Sequence, residues 1–453
     1  MDQLIVAKFG GTSMADATAM LRSAKISRDH KAKIVVVSAT SGTTNQLLEL
    51  ATKAEKGSWE DCEIIIKSIE TKHRSIASEL ELAPDQVKVV EQILTEMSTL
   101  ARGINLLKEC SLRAKDQMQS IGERLSSVLF TTAVRRVFES TDQVSWLDVR
   151  SIMITDSQFG KAVPNIVKIA NKCKKLLPNL RSEEKIYITQ GFIGKDENGI
   201  TTTLGRGGSD YSATLIGEGI GADLVQIWTD VAGIATTDPR ICPKAQPIDV
   251  ISFKEAAELA VFGAKVLHPT TLSPALRANI AVFVGSSYES EAKGTWIKKS
   301  SDSTPLVRAM AIKRDQALLT ITTPKMMNAY GFLSNIFNVF AGHKVSVDAI
   351  TTSEISVSMT VDAATAHHRE LLHDLKRLGE VTLEEKQALV SLIGNNINHT
   401  PGLGSNIFKA LGDINVRMIC QGASKHNFCF LVGDSDGTEA VKRLHAAFIE
   451  SAL

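Results

Sequence analysis

Leu4-Ile5-Val6-Ala7-Lys8-Phe9-Gly10-Gly11-Thr12-Ser13 is a short apolar run that stops at two glycines, and a helical segment begins near Asp16. Brief, β-branched runs bounded by turn residues form buried strands. The pattern recurs at Lys33–Ser38, Val144–Leu147, Lys185–Thr189, Leu224–Trp228 and Ile280–Gly285. Between these runs, apolar residues follow helical spacing around 46–56, 85–108, 116–138, 164–176, 209–220 and 252–262. Strands alternating with helices predict a mostly parallel sheet covered on both faces, with chemistry in the loops that follow the carboxyl ends of strands.

The chain has 453 residues, 43% hydrophobic and 22% charged, which is more than one core usually supports. Its 51 basic and 50 acidic residues create no field that recruits nucleic acid or a membrane surface. Six cysteines, at 62, 110, 173, 242, 420 and 429, show no Cys-x-x-Cys spacing and read as free thiols. The acidic second residue and the four apolar residues before Lys8 are unlike a signal peptide. No stretch approaches the ~18 apolar residues that span a bilayer, so a cytoplasmic protein is expected.

After residue 300 the pattern changes, starting with the polar, proline-containing connection Lys298–Pro305. Ser334-Asn335-Ile336-Phe337 recurs as Ser405-Asn406-Ile407-Phe408, each inside a helix opened by a Gly-rich turn. Strands Val345–Ile350 and Ile414–Cys420 follow, then Ile355–Val361 and Phe428–Val432, then helices near 363–378 and 436–448. The repeat predicts two β-α-β-β-α units, a paired small-ligand module.

Several motifs carry chemistry. Lys8 with Gly10-Gly11 makes a turn whose N–H groups and positive charge suit anionic oxygens, although such turns are more often simple connections. Gly205-Arg206-Gly207-Gly208-Ser209-Asp210 places three glycines in six residues, a demand that a ligand or a tight turn explains. Ser209 reads as an N-cap and Arg206 as a fork for a carboxylate, while Asp210 orients a nucleophile, balances charge or engages a metal. A capped helix beside a surface arginine reads equally well. Thr229-Asp230, continuing to Thr236-Thr237-Asp238-Pro239-Arg240, suits ribose or phosphate, or an Asx-turn before Pro239. Lys265 follows a helix and gains weight only from this company. Gly217–Ala222 matches a dinucleotide fingerprint as text but closes a helix and precedes a strand, the reverse of the required order. His367, His368 and His373 read as solvent-facing rather than as metal ligands. Neither a Walker A loop nor a Ser-His-Asp or Cys-His constellation stands out.

Taken in order, Lys8–Ser13, Gly191–Gly194, Thr203–Asp210, Trp228–Val231, Thr236–Arg240, Phe262–Pro269 and Val347–Glu354 resemble the aspartokinase family, in its monofunctional, lysine-sensitive type. The resemblance spans nearly the whole chain. It implies a three-layer αβα amino-acid-kinase fold over 1–297, then two ferredoxin-like βαββαβ ACT domains at 306–386 and 387–453, the first binding the effector. In the family the second can instead nest within the first. The implied reaction transfers the γ-phosphoryl group of MgATP to the side-chain carboxylate of L-aspartate, giving 4-phospho-L-aspartate. This is the entry step to lysine, threonine, methionine and diaminopimelate synthesis, with feedback by L-lysine. No organic cofactor is implied, and Mg2+ travels on the nucleotide phosphates rather than on a protein ligand set. A homodimer or tetramer through the ACT domains is implied as well.

By the same resemblance, Lys8, Asp210 and Lys265 serve catalysis, and Thr44, Glu123, Arg206 and Ser209 surround aspartate, with Arg206 on its α-carboxylate. Lys8, Gly10, Gly11, Thr229, Asp230, Arg240 and Lys265 surround the nucleotide. Charge logic agrees, since an amino acid needs one fixed cation and one fixed anion. A carboxylate acceptor is ionised at neutral pH, so no general base is required. The effector is assigned Met326, Phe332, Leu333, Ser346, Val347, Asp348, Thr352, Ser353 and Glu354. Ala235 stands where the family often has tyrosine, and Ala329 where serine is expected. Matching the repeats sets Asp348 opposite Arg417, so a cationic effector is expected in the first copy and a structural or dimerising role for the second. Two alternatives are another amino-acid or carbamate kinase of this fold, and a non-catalytic amino-acid sensor.

Overall fold

The opening apolar run forms strand β1 (Ile5–Phe9), buried along its whole length. The computed structural model describes residues 3–140, 142–262, 267, 269–302 and 305–452. They belong to two units, one of Met1–Ile234, Asp249–Phe253 and Leu267–Ser300, the other of Ala235–Ile248, Lys254–Val266 and Ser301–Leu453.

After β1 come α1 (Ala17–Asp29), β2 (Ile34–Val37), α2 (Thr43–Glu55), α3 (Trp59–Glu79), α4 (Pro84–Leu107), α5 (Leu112–Phe138) and β3 (Val144–Leu147). The chain continues through α6 (Ile166–Leu176), β4 (Ile186–Gln190), β5 (Ile193–Lys195), β6 (Thr201–Thr203), α7 (Gly208–Ile220) and β7 (Leu224–Thr229). Then follow β8 (Val250–Ser252), α8 (Phe253–Val261), α9 (Pro269–Ala278), β9 (Ala281–Ser286) and β10 (Thr295–Lys298). All six expected strands form, with ends shifted by a residue or so. The main sheet has the order β3-β4-β2-β1-β7-β9-β10-β8 and is parallel apart from the β9–β10 pair. β1 lies between β2 and β7, so the turns after these strands share one edge. Helices α1 to α5 bury their apolar faces on one side of the sheet, with Phe9, Phe130 and Trp228 in that core. Helix α7 lies among α6, α9 and β1, completing the αβα layering.

The second unit contains β11 (Val307–Thr322), α10 (Phe332–Gly342), β12 (Ala349–Thr352), β13 (Ser356–Asp362), α11 (Ala363–Ala366), α12 (Arg369–Lys376) and β14 (Glu380–Gly394). It ends with α13 (Leu403–Leu411), β15 (Val416–Cys420), β16 (Asn427–Gly433) and α14 (Asp434–Phe448). Its strands form one antiparallel sheet in the order β12-β13-β11-β14-β16-β15. The two long strands carry irregular register near Lys313–Gln316, where Asp315 and Lys386 adopt left-handed backbone at φ +55 and +56. Such an irregularity changes which residues face inward. Met310 belongs to one core with Val390, Leu392, Ile407 and Leu444, whereas Ala317, Leu319 and Ile321 belong to another with Ile336, Phe340 and Leu371.

These cores leave the first half of β11 out of the first copy, which was expected to begin at 306. The first half of β11 contributes Val307 and Met310 to the second copy's core. The first copy, from the second half of β11 to the first half of β14, is therefore inserted into the second, the reverse of the nesting expected. Residues 235–248 and 254–266, assigned from sequence to the catalytic region, also fall in the second unit, where Ile241 packs on the second copy's core.

Candidate active site

Side chains alternate along a strand, so β1 sends Phe9 to one face and Lys8 to the other. The Phe9 ring sits 5.9 Å from Phe130 and 6.3 Å from Trp228. Lys8, 8% exposed, forms an ion pair with Asp210 in the first turn of α7. Beyond β1 the Gly10 N–H donates to the Trp228 carbonyl at 3.1 Å. A Cβ on Gly11 would lie 3.3 Å from the Ala39 carbonyl oxygen, so the glycine turn is held against the ends of both neighbouring strands.

Helix α7 starts differently from expectation. Its N-cap is Gly207 in the left-handed region at φ +74, and no side chain caps it; Ser209 lies inside the first turn. The turn after β4 fits against this helix start. A Cβ on Gly191 would fall 2.6 Å from the Ser209 Cβ, and one on Gly208 would fall 2.6 Å from the Phe192 ring. The Phe192 N–H donates to Ser212 Oγ at 2.9 Å, which locks the two together. The uncapped N–H groups of the α7 first turn, close to Lys8, favour anionic oxygens.

Thr44 sits half-buried in the first turn of α2, itself capped by left-handed Gly42. Helix α5 presses on this loop, because a Cβ on Gly122 would lie 2.7 Å from the Ala39 Cβ. That approach places Glu123 beside the loop, where its carboxylate accepts the Ala39 N–H. Glu123 Oε2 is buried with no hydrogen-bond partner. Burial pushes its carboxyl up to about 8. The fold thus leaves a buried acid ready for a cation.

Three supporting residues escaped the sequence reading. His73 of α3 has Nδ1 2.7 Å from the Ile69 carbonyl and Nε2 3.2 Å from Thr40 Oγ1, which is 2.6 Å from Thr43 Oγ1. A carbonyl is only an acceptor, so Nδ1 carries the proton. Burial lowers the imidazole to about 4 and keeps it neutral. Lys72 donates to the Ser41 carbonyl at 2.5 Å. Buried Cys62, Ile66, Ile69, His73 and Ile76 keep helical period in α3, a signal diluted by the adjacent Ile64 and Ile65. Asp116 accepts from the Gly160 and Thr203 N–H groups at 2.9 and 2.8 Å, and so holds β6, which leads into Gly205–Asp210.

Lys8, Gly10, Gly11, Ser209, Asp210, Thr44 and Glu123 thus surround the carboxyl ends of β1 and β2 and the start of α7. Arg206 is exposed in its glycine loop. Thr229 donates to Asp230 at 3.0 Å at the end of β7. Arg240 belongs to the second unit and pairs with Asp238 at 2.6 Å. Lys265 lies outside the described residues.

In the first regulatory copy, Met326, Phe332 and Val347 pack partly buried on its core, while Leu333, Ser346, Thr352, Ser353 and Glu354 are exposed. Asp348 is ion-paired with Lys313, which also holds Asp362 at 3.0 Å. Among the described residues, no helix is long and apolar enough to cross a membrane.

A buried carboxylate with one oxygen unpartnered, beside a lysine–aspartate pair and a glycine turn, suits a zwitterionic substrate next to phosphate. The amino acid kinase family profile matches residues 3–286, and an ACT domain profile matches 319–368 and 390–448. Lysine-sensitive aspartokinase 3 of Escherichia coli is 44% identical over 459 residues, covering 99% of this chain and 100% of that one. The crystal structure of E. coli aspartokinase III with aspartate and ADP, an R-state, aligns at TM-score 0.87, with 44% identity, over 98% of this chain and 99% of that one. The T-state structure with lysine and aspartate aligns at 0.81, with the same identity and coverage. The chain belongs to the amino acid kinase family and, within it, to the aspartokinases.

Proposed function

We propose that this chain is an aspartate kinase, transferring the γ-phosphoryl group of MgATP to the side-chain carboxylate of L-aspartate and restrained by L-lysine. The observation that carries the reading is Glu123, a buried carboxylate whose Oε2 lacks a partner. Glu123 receives the substrate ammonium and Arg206 its α-carboxylate, which leaves the side-chain carboxylate directed at the phosphoryl group. Lys8 neutralises charge on that group, and Asp210 holds Lys8 in place. Positioning and electrostatics carry most of the acceleration in phosphoryl transfer. Mg2+ enters with the nucleotide. Thr229, Asp230, Arg240 and Lys265 serve the nucleotide, and the Asp348 region of the first ACT copy takes lysine. Strands β12 and β15 touch each other, Thr351 donating to the Ile419 carbonyl at 3.2 Å, and the exposed Ile350 and Ile419 they carry support assembly of a dimer or tetramer through these domains.

The test is ADP release from MgATP with L-aspartate, with and without L-lysine. L-glutamate and N-acetyl-L-glutamate serve as control acceptors, the latter lacking the ammonium that Glu123 recognises. Lys8→Ala is expected to lower kcat about 10²–10³-fold with little change in aspartate KM, whereas Arg206→Ala chiefly raises that KM. Equal, small effects from both sink the role assignments. Saturable lysine binding without turnover moves the chain to the sensor class.

A further inference from the structure

Within the second unit, three side chains of different chemistry converge on one point. Cys242 Sγ lies 3.5 Å from His445 Nδ1, Glu450 Oε1 lies 3.1 Å from the same nitrogen, and sulfur and carboxylate oxygen are 4.0 Å apart. His445 is fully buried and Cys242 is 5% exposed, while Glu450 sits at the rim. Without an ion, Nδ1–H and the weak thiol donor both rely on the single oxygen Glu450 Oε1, at 3.1 and 4.0 Å. A cation in place of those protons would satisfy all three.

Two of the three spacings fit such an ion, and the sulfur–oxygen distance at the rim needs to close by about half an ångström. Zn2+ bonds of ~2.3 Å to sulfur and ~2.0–2.1 Å to nitrogen and oxygen, at tetrahedral angles, require ligand separations of ~3.6 Å (S to N), ~3.3 Å (N to O) and ~3.5 Å (S to O). The surroundings fit as well. His445 Nε2 is 2.9 Å from Thr236 Oγ1, which also accepts the Gln246 N–H at 3.0 Å, so the ring is oriented from behind. Lys244 takes the other carboxylate oxygen, Oε2, at 2.7 Å and leaves Oε1 for the centre. Outer partners of this kind orient metal-binding histidines and carboxylates.

We infer that Cys242, His445 and Glu450 form a binding site for a borderline divalent cation of the Zn2+ class, with a fourth position for water. Thiolate, imidazole and carboxylate together select such an ion over the hard Mg2+ that accompanies the nucleotide. The bound ion ties the segment 235–248 to the end of α14 within the second unit. Binding displaces the Cys242 thiol proton to solvent while the neutral imidazole carries its one proton on Nε2 toward Thr236, so uptake strengthens as pH rises.

The test is titration of the chelator-treated, full-length protein with Co2+, a spectroscopic substitute for Zn2+. One Co2+ per chain is expected, with a sulfur-to-cobalt charge-transfer band in the near ultraviolet that Zn2+ bleaches. Cys242→Ser abolishes the band, whereas Cys429→Ser retains it. Glu450→Gln, at the rim, keeps the band but weakens affinity about tenfold or more. Binding without a thiolate band, or a band unchanged in Cys242→Ser, overturns the site. Should Cys242→Ser not fold, Glu450→Gln decides, because undiminished affinity there overturns it equally.

Discussion

Asp348 in the first regulatory copy and Arg417 in the second stand at matching places in the repeat, one just before β12 and the other in β15, and each is paired with the opposite charge. Lys313 pairs with Asp348, and Glu384 with Arg417. The pairs are mirror images in charge: where one copy presents acid answered by base, the other presents base answered by acid. Each partner comes from the half of β11 or β14 on the other side of the register irregularity, so each pair joins an edge segment to a strand at the seam between copies. Two copies of one fold thus offer an ammonium group opposite environments. On the proposed reading, the first would receive it once Lys313 is displaced, and the second would repel it through Arg417. Glu123, in the first unit, makes the contrast sharper, since its buried Oε2 has no cation to displace.

The largest expected effect tests that contrast at its substrate end. Glu123→Gln should lower kcat/KM for aspartate about 10²–10³-fold, because the α-ammonium then meets a neutral amide in a buried site. pH offers an independent readout. Burial raises the Glu123 carboxyl from 4.5 to about 8, so the ligand-free protein favours the protonated acid below that value. The resulting stability is fully present below pH 4.5 and is lost as pH rises through about 8. The substrate ammonium favours the ionised form, so aspartate binding should release a proton near neutrality and tighten as pH rises toward 8. Calorimetry in buffers of different ionisation enthalpy measures that release, and Glu123→Gln should remove it.

A smaller effect separates the two copies directly. Asp348→Asn should raise the lysine concentration for half inhibition about tenfold or more, and Arg417→Gln should leave it within about twofold. The reverse ranking would place the effector in the second copy and break the comparison. Smallest is the competition by Lys313. Pairs as accessible as Lys313–Asp348 contribute about 0.2–1 kcal/mol, so Lys313→Ala should sharpen lysine inhibition by about 1.4–5-fold, whereas Glu384→Ala should not. Inhibition curves at fixed aspartate distinguish these outcomes.

Much of the kinase half was legible before its structure. Short β-branched runs and helical spacing located its central strands, and the helix expected near Asp16 begins at Ala17, with Asp16 accepting the Ala19 N–H at 2.8 Å. The glycines of Gly191–Gly194 and Gly205–Gly208 were visible too, but their reason was not. Gly191 is required by Ser209 on an element that follows in the chain, and Gly207 caps α7 where the hydroxyl of Ser209 was expected to. The helix, two strands and second helix of each repeat were legible, whereas the leading strands, β11 and β14, were not located. Each is broken midway by a polar stretch, Lys313–Gln316 in β11 and Glu384–Gln387 in β14, which reads locally as a turn rather than as one strand passing between two cores.

The sequence by itself determined local matters: which stretches are strands or helices, where glycine permits a turn, and which charges exist to bind an amino acid. These follow from side-chain periodicity and backbone sterics within a window of a few residues. Tertiary structure alone decided partnership. It inserted the first regulatory copy into the second, paired Asp348 with Lys313 and left Glu123 Oε2 without a partner. It also brought Cys242 to His445 across 203 residues. Such pairings depend on which surfaces bury one another, a free energy of the whole fold that no short stretch of chain contains.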